Sequence, residues 1–86
     1  MEGLKQRIEE LVGTGFPGSE LRWQEDNLIK RPSGTLVWEG FDGLSHIDRQ
    51  QRLGAYLREH LGEDKTLIGM IFTLTPRERA AILQEA

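Results

Sequence analysis

Cysteine is absent from the 86 residues of this chain, and its absence removes disulfides, thiolate metal ligands and thiol nucleophiles together. No apolar run approaches the ~20 residues that a membrane-spanning helix needs, so we expect no membrane partner. The opening segment MEGLKQRIEELV also lacks the basic stretch followed by an apolar core that marks a signal peptide. The absence of a membrane span and of a signal peptide predicts a cytoplasmic protein, which the absence of cysteine suits.

The length and composition indicate one globular domain over residues 1–86. Charged residues make up 29% of the chain and apolar residues 37%, a balance typical of folded rather than disordered proteins. A chain of this size has room for only one hydrophobic core. The net charge of −3 argues against indiscriminate binding to phosphate backbones, although a local basic patch can override the total.

The first half of the chain predicts a helix followed by two paired strands. Apolar residues at i, i+4, i+7 and i+8 predict an amphipathic helix that ends before Gly13: Leu4, Ile8, Leu11 and Val12. Leu21 and Trp23 then alternate with polar residues, as in a strand with one buried face, and Leu28 and Ile29 are candidates to resume that strand. Residues 30–34 read as a hairpin loop, so we expect an antiparallel pair with a second strand over residues 35–41.

A glycine-bracketed corner and a long helix follow the second strand. Gly40 and Gly43 permit the chain to reverse around Phe41. Ser45 is positioned as an N-cap with Asp48 three residues later, which predicts a helix over residues 45–61. We expect its inward side chains to be Ile47, Leu53, Leu57 and Leu61. Gly54, in mid-helix, predicts a close approach to the sheet or to the first helix.

The last third of the chain predicts a strand and a final helix. The apolar segment LIGMIFTL, residues 67–74, is typical of a strand with both faces covered, and a helical connection makes it parallel to the second strand. Thr75-Pro76-Arg77-Glu78 combines an N-cap, a first-position proline and a third-position glutamate, a complete helix start. We expect Ala80, Ala81, Ile82 and Leu83 to form the apolar side of that helix. The predicted order is αββαβα, an α/β (α+β) fold with a three-stranded mixed sheet packed against helices.

These motifs resemble those of a known family. FDGLSHIDRQ, the long helix after it and the strand followed by TPRE are similar to the pattern of the BolA-like proteins, over roughly residues 4–83. The resemblance implies a small non-enzymatic regulatory or protein-interaction module, either docking a monothiol glutaredoxin or modulating transcription. A self-associating stress-response module is a further possibility that it leaves open.

The resemblance also implies a metal site whose ligands this chain lacks. The family holds an iron–sulfur cluster with a His at the start of the last strand and a His or Cys in the first strand–strand loop. Here Leu67 takes the strand position, and residues 26–34 contain neither His nor Cys, the nitrogen and sulfur ligands that such clusters need. His46 and His60 lie about 21 Å apart along one helix at 1.5 Å per residue. We therefore expect no cofactor and no metal site.

We expect no enzymatic activity and no catalytic residues. No spacing suggests a Ser-His-Asp or Cys-His arrangement. The paired acids Glu25-Asp26 and Glu63-Asp64 read as solvated loop residues rather than an acid–base pair.

A partner-binding role predicts a site at the start of the long helix. The resemblance places His46, Arg49 and Gln50 at the family's matching positions, and Arg49 would anchor a partner through its bidentate donors. Trp23 and Trp38 fit either the core or a partly exposed patch.

The alternative function is nucleic-acid binding. The αββαβ order is similar to that of the type II KH domain, and GFDG is formally a G-x-x-G loop, although Asp42 would repel phosphate. This KH-like reading would use the loop residues Lys30 and Arg31 together with a basic face of the long helix formed by Arg49, Arg52 and Arg58.

Overall fold

The computed structural model describes residues 2–24 and 31–85 as a small α+β domain. Three helices and a three-stranded mixed sheet follow the predicted order, so this part of the prediction is confirmed. The helices are α1 (Glu2–Gly15), α2 (His46–Leu61) and α3 (Pro76–Glu85), and the strands are β1 (Glu20–Trp23), β2 (Gly34–Val37) and β3 (Ile71–Leu74). The predicted continuation of β1 at Leu28 and Ile29 lies outside the described residues, as does Lys30.

The sheet has the order β1-β2-β3 with β2 in the centre. β1 pairs antiparallel to β2, with Leu21 opposite Leu36. β2 pairs parallel to β3, with Leu36 opposite Thr73. Both predicted pairings are therefore confirmed. Because side chains alternate across a strand, one face of the sheet (the inner face) carries Leu36 and Ile71, which belong to the core.

Helices α1 and α2 build the core against this inner face. The buried apolar side chains of this core come from α1 and the residue after it, from β2, from the corner before α2, from α2, and from β3 and the segment leading into it: Ile8, Val12, Phe16, Leu36, Phe41, Leu53, Leu57, Leu61, Ile68 and Ile71. Phe16 lies at their centre, with its ring centroid 4.9 Å from that of Trp38 and 5.3 Å from that of Tyr56, both in edge-on geometry. The predicted stripe of α1 is confirmed, and that helix continues two residues beyond Gly13. None of the helices in the described ranges is long and apolar enough to cross a membrane.

The second strand is shorter than predicted. It ends at Val37, and a 3₁₀ turn over Glu39–Phe41 follows. The Trp38 indole folds back so closely over Gly40 that a Cβ there would collide with the ring, while the indole Nε1 donates to the Pro17 carbonyl at 2.9 Å. The predicted corner is present, with Gly43 at a φ of 86° and Phe41 in the core. Both tryptophans are partly buried against that core.

The predicted strand over residues 67–74 is also shortened. Its first residue, Leu67, ends a 3₁₀ turn over Gly62–Leu67, which the Thr66 hydroxyl stabilises by donating to the Glu63 carbonyl at 2.8 Å, and β3 begins only at Ile71. In β3 itself the second face is only partly covered, because Phe72 is 53% exposed. Gly54 approaches the Lys65 side chain, whose Cε would lie 3.7 Å from an added Cβ, rather than the sheet or α1.

Two expectations about inward-facing residues are wrong. Ile47 is 70% exposed at the start of α2, where the buried position belongs to Arg49. In α3, the residues predicted to form a buried apolar side, Ala80, Ala81, Ile82 and Leu83, are all exposed. Near its start, helix α3 is held to the domain by the ion pairs of Glu78 and Arg79.

A pair of glycine substitutions tests this packing. Gly34→Ala should destabilise the domain by about 1–3 kcal/mol, because the new Cβ would collide with the backbone carbonyl of Arg22 on β1. Gly13→Ala is the matched control: nothing lies within 4 Å of its added Cβ, and a helical position should gain about 0.5–1 kcal/mol. Urea titration followed by circular dichroism measures both, and equal effects of the two substitutions would contradict the described β1–β2 contact.

Candidate functional site

The start of α2 is fixed by the predicted cap. The Ser45 hydroxyl accepts the Asp48 backbone N–H at 3.1 Å, which satisfies one of the free donors of the first turn. In the first turn that this cap begins, His46 and Ile47 face outward, whereas Arg49 enters the interior.

Arg49 is the most heavily bonded side chain of this region. It is only 5% exposed. Its Nη1 and Nη2 donate to the two carboxylate oxygens of Glu78 at 2.6 and 3.2 Å. Its Nε donates to the Leu44 carbonyl at 3.0 Å, and Nη1 also lies 3.5 Å from the Thr73 carbonyl. The planar guanidinium thus joins the corner before α2, strand β3 and helix α3, in the two-pronged geometry that suits a carboxylate.

Glu78 belongs at once to this pair and to the cap of α3. Its Oε1 accepts the Thr75 backbone N–H at 2.8 Å, and the Thr75 hydroxyl accepts the Glu78 N–H at 3.1 Å, so the predicted capping box is confirmed. Hydrogen bonds from the Arg49 guanidinium and from the Thr75 N–H lower the pKa of Glu78 to about 2. The carboxylate therefore remains charged at neutral pH and fixes the start of α3.

Gln50 lies beside Arg49 and covers the open side of β3. Its Nε2 donates to the Ile71 carbonyl at 2.8 Å. β3 is an edge strand, and an unpaired strand edge is a template for association with other chains. With Arg49 near the Thr73 carbonyl, two successive acceptors of this edge are occupied by side chains from α2.

The structure brings together only some of the predicted site residues. Arg49 and Gln50 meet at β3 and bond to the domain's own elements; Arg49 is buried, whereas Gln50 remains exposed. His46 is exposed at the start of α2. Arg52 is exposed too, with its guanidinium carbon 5.4 Å from the centroid of the Trp38 ring. Arg31 is exposed beside Gly69, since a Cβ added at Gly69 would lie 3.4 Å from the Arg31 Cβ.

The expected basic face of the long helix requires correction. Arg49 is buried and paired with Glu78, so it presents no charge beside Arg52 and Arg58. A buried guanidinium in a bidentate pair is not available to bind phosphate.

Sequence reasoning missed the exposure of Ile47, although a signal was present. The buried positions of α2 are Arg49, Leu53, Leu57 and Leu61, spaced four residues apart. Ile47 lies six residues before Leu53, which places the two side chains about 120° apart around a helix of 3.6 residues per turn. Because Arg49 is charged, it was not counted among the inward-facing residues, and Ile47 was assigned to the buried stripe in its place.

The described residues offer little for metal chemistry. Among residues 2–24 and 31–85, no three or more His, Cys, Asp or Glu side chains are grouped so that they could hold a metal ion. A cleft of about 350 Å³ beside the start of α3 is lined by Glu39, Asp42, Thr75, Pro76 and Arg77, and we assign no chemistry to it.

In comparisons with known proteins, the sequence matches no protein-family model, and no curated protein matches it. The resemblance of its FDGLSHIDRQ and TPRE segments to the BolA-like family thus stays a prediction.

The Arg49–Glu78 pair generates a stability prediction. Glu78→Gln keeps a side chain that suits the third position of a capping box but removes the charge facing the buried guanidinium. Losing one partner of a fully buried pair costs roughly 3–5 kcal/mol. Because the Glu78 side chain is 35% exposed, we expect a loss of about 2 kcal/mol at pH 7. Denaturant unfolding measures it, with the exposed Glu59→Gln as a control that should change stability by less than about 0.5 kcal/mol.

The same variant predicts a pH dependence with a defined sign. The pKa of Glu78 is depressed from 4.5 to about 2 in the folded protein, so the charged form stabilises the fold fully above pH 4.5 and loses that contribution as the pH falls towards 2. The stability difference between the parent and Glu78→Gln should therefore shrink across this interval. A difference that stays constant from pH 7 to pH 2 would contradict the pairing.

Proposed function

We propose that this chain is a small non-enzymatic regulatory module of the BolA-like type, a single domain over residues 1–86 that acts in the cytoplasm by binding a protein partner without ligating an iron–sulfur cluster. The observation that carries the proposal is the exposure of Ile47. A large apolar side chain held outward on the capped first turn of a helix is a ready-made anchor for a partner.

The resemblance supports the same place for docking. It assigns partner contacts to the start of the long helix, where His46 and Ile47 are both exposed. Arg49 and Gln50 contribute indirectly, because they fix α2 against β3 and α3. The anchor is therefore presented on a rigid element, which lowers the entropy lost on binding.

The proposal of a cluster-free module follows from the ligand positions. Leu67, at the position where the family carries its strand His, has a hydrocarbon side chain that cannot coordinate iron. It lies at the end of the 3₁₀ turn before β3 and is exposed. A monothiol glutaredoxin, the partner implied by the resemblance, would have to be bound by surface contacts alone.

Nucleic-acid binding through the Lys30/Arg31 loop and the Arg49 helix face is less well supported. Arg49 is internal, and the side chain at the centre of the GFDG turn, Phe41, belongs to the core.

Anaerobic co-purification with a monothiol glutaredoxin tests the proposed function. We expect a colourless complex without bound iron, because this chain supplies no nitrogen or sulfur ligand at the family's positions. A brown complex with the absorption of an iron–sulfur cluster would overturn the cluster-free proposal.

A matched pair of variants tests the docking site. Ile47→Asp should weaken glutaredoxin binding, measured by isothermal titration calorimetry, at least tenfold, since an interface anchor contributes roughly 2 kcal/mol or more. Leu83→Asp is the control: Leu83 is similarly exposed, but on α3, and its substitution should leave the affinity unchanged. Equal losses in the two variants, or none, would contradict docking at the start of α2.

A further inference from the structure

The face of the sheet opposite the core (the outer face) carries a row of three aligned residues, one from each strand. Arg22 on β1 lies opposite Thr35 on β2, and Thr35 lies opposite Phe72 on β3. At about 4.8 Å between neighbouring strands, the row spans about 10 Å. The ring of Phe72 is half exposed and the Arg22 side chain is 72% exposed. The row is thus a solvent-facing strip with an aromatic ring at one end and a cation at the other.

Helix α3 covers only the neighbouring row. That row consists of Glu20, Val37 and Leu74. The helix begins after Leu74 on β3, and its Arg79 pairs with Glu20 on β1, at the opposite side of the sheet. Val37, in the middle of the row, is buried. The row of Arg22, Thr35 and Phe72 remains open beside the helix. On its other side lies Met70, which is 56% exposed.

The charges around the open row are mainly positive. Arg22 and Arg79 both pair with Glu20, and their hydrogen bonds lower the pKa of that carboxyl. Among the described residues of this face, two cations thus meet one carboxylate, although the whole chain carries a net charge of −3. The face is therefore electrostatically suited to an anion.

We propose that the outer face binds single-stranded nucleic acid, with a base stacked on Phe72 and a backbone phosphate held by Arg22. An exposed aromatic ring on a sheet is a stacking platform that tolerates any base. The Thr35 hydroxyl between ring and cation can hydrogen-bond sugar or base. A duplex keeps its bases stacked inside and cannot place one on the ring.

Two features favour a nucleic acid over an acidic protein segment. The apolar and cationic groups are separated along one row, as the base and phosphate of a nucleotide are. The centre of a protein interface, in contrast, is depleted of charge, whereas the row of Phe72 contains the exposed guanidinium of Arg22. This surface differs from the start of α2, so the inference is independent of the protein-docking proposal.

Fluorescence anisotropy with labelled 12-residue oligo(U) and oligo(dT) tests the inference on the full chain. We expect both to bind at 50 mM salt and a duplex of the same length to bind at least tenfold more weakly. Phe72→Leu keeps the apolar bulk and should weaken binding about tenfold, because stacking of one base is lost. Phe72→Tyr keeps the ring and should restore the affinity. Circular dichroism checks that each variant folds.

Salt dependence separates the roles of the two ends of the row. Arg22→Gln should reduce the slope of log affinity against log salt by about 0.7, the value for one phosphate contact on a single strand. Phe72→Leu should leave the slope unchanged.

Failure of both oligonucleotides to bind would overturn the inference, as would equal affinity of Phe72→Leu and the parent. If poly-glutamate bound as tightly as the oligonucleotides and Phe72→Leu did not change its binding, the face would attract any polyanion, and the inference would be overturned as well. Ile47→Asp should bind oligonucleotides normally, so the two proposals fail or succeed separately.

Discussion

The burial of one guanidinium constrains the whole described domain. A charge removed from water must be paired and hydrogen-bonded or it destabilises the fold by several kcal/mol. Arg49 meets this requirement through a backbone carbonyl before α2, another on β3 and both carboxylate oxygens of Glu78. These partners come from three separate segments, so the guanidinium can be satisfied only when the corner, the sheet and α3 are assembled together.

The burial of Arg49 changes which side chains at the start of α2 are available to bind a partner. Arg49 and Gln50 lie where the BolA-like resemblance places partner contacts, but their donors are bonded to the domain itself. The outward side chains beside them, His46 and Ile47, are what the start of α2 presents to another protein. Because α3 is tied at its start by Glu78 and across the sheet by Arg79, it covers one row of the outer face and leaves the row of Phe72 open. The Arg49–Glu78 pair thus influences both proposed binding surfaces, the start of α2 and the open row of the outer face.

Local signals predicted the elements well, and long-range packing accounts for the errors. The Ser45 cap, the TPRE helix start and the apolar stripe of α1 each depend on residues within one or two turns, so sequence spacing was enough. The inward assignment of Ile47 failed because hydrophobicity favoured it over Arg49, whose partner Glu78 lies 29 residues away. The apolar run at residues 67–74 indicated a long covered strand, yet β2 offers only four paired positions, and no described helix covers Phe72.

The sequence by itself determined the order of helices and strands, the caps and the absence of cysteine chemistry, because these follow from nearest neighbours and composition. Only the tertiary structure decided which side of α2 faces inward, how much of the last apolar segment pairs as a strand, and which aromatic residue stays in solvent. Those outcomes depend on whether a distant group is present to pair a charge or cover a ring. No local pattern carries that information, since the partners meet only after the chain has folded.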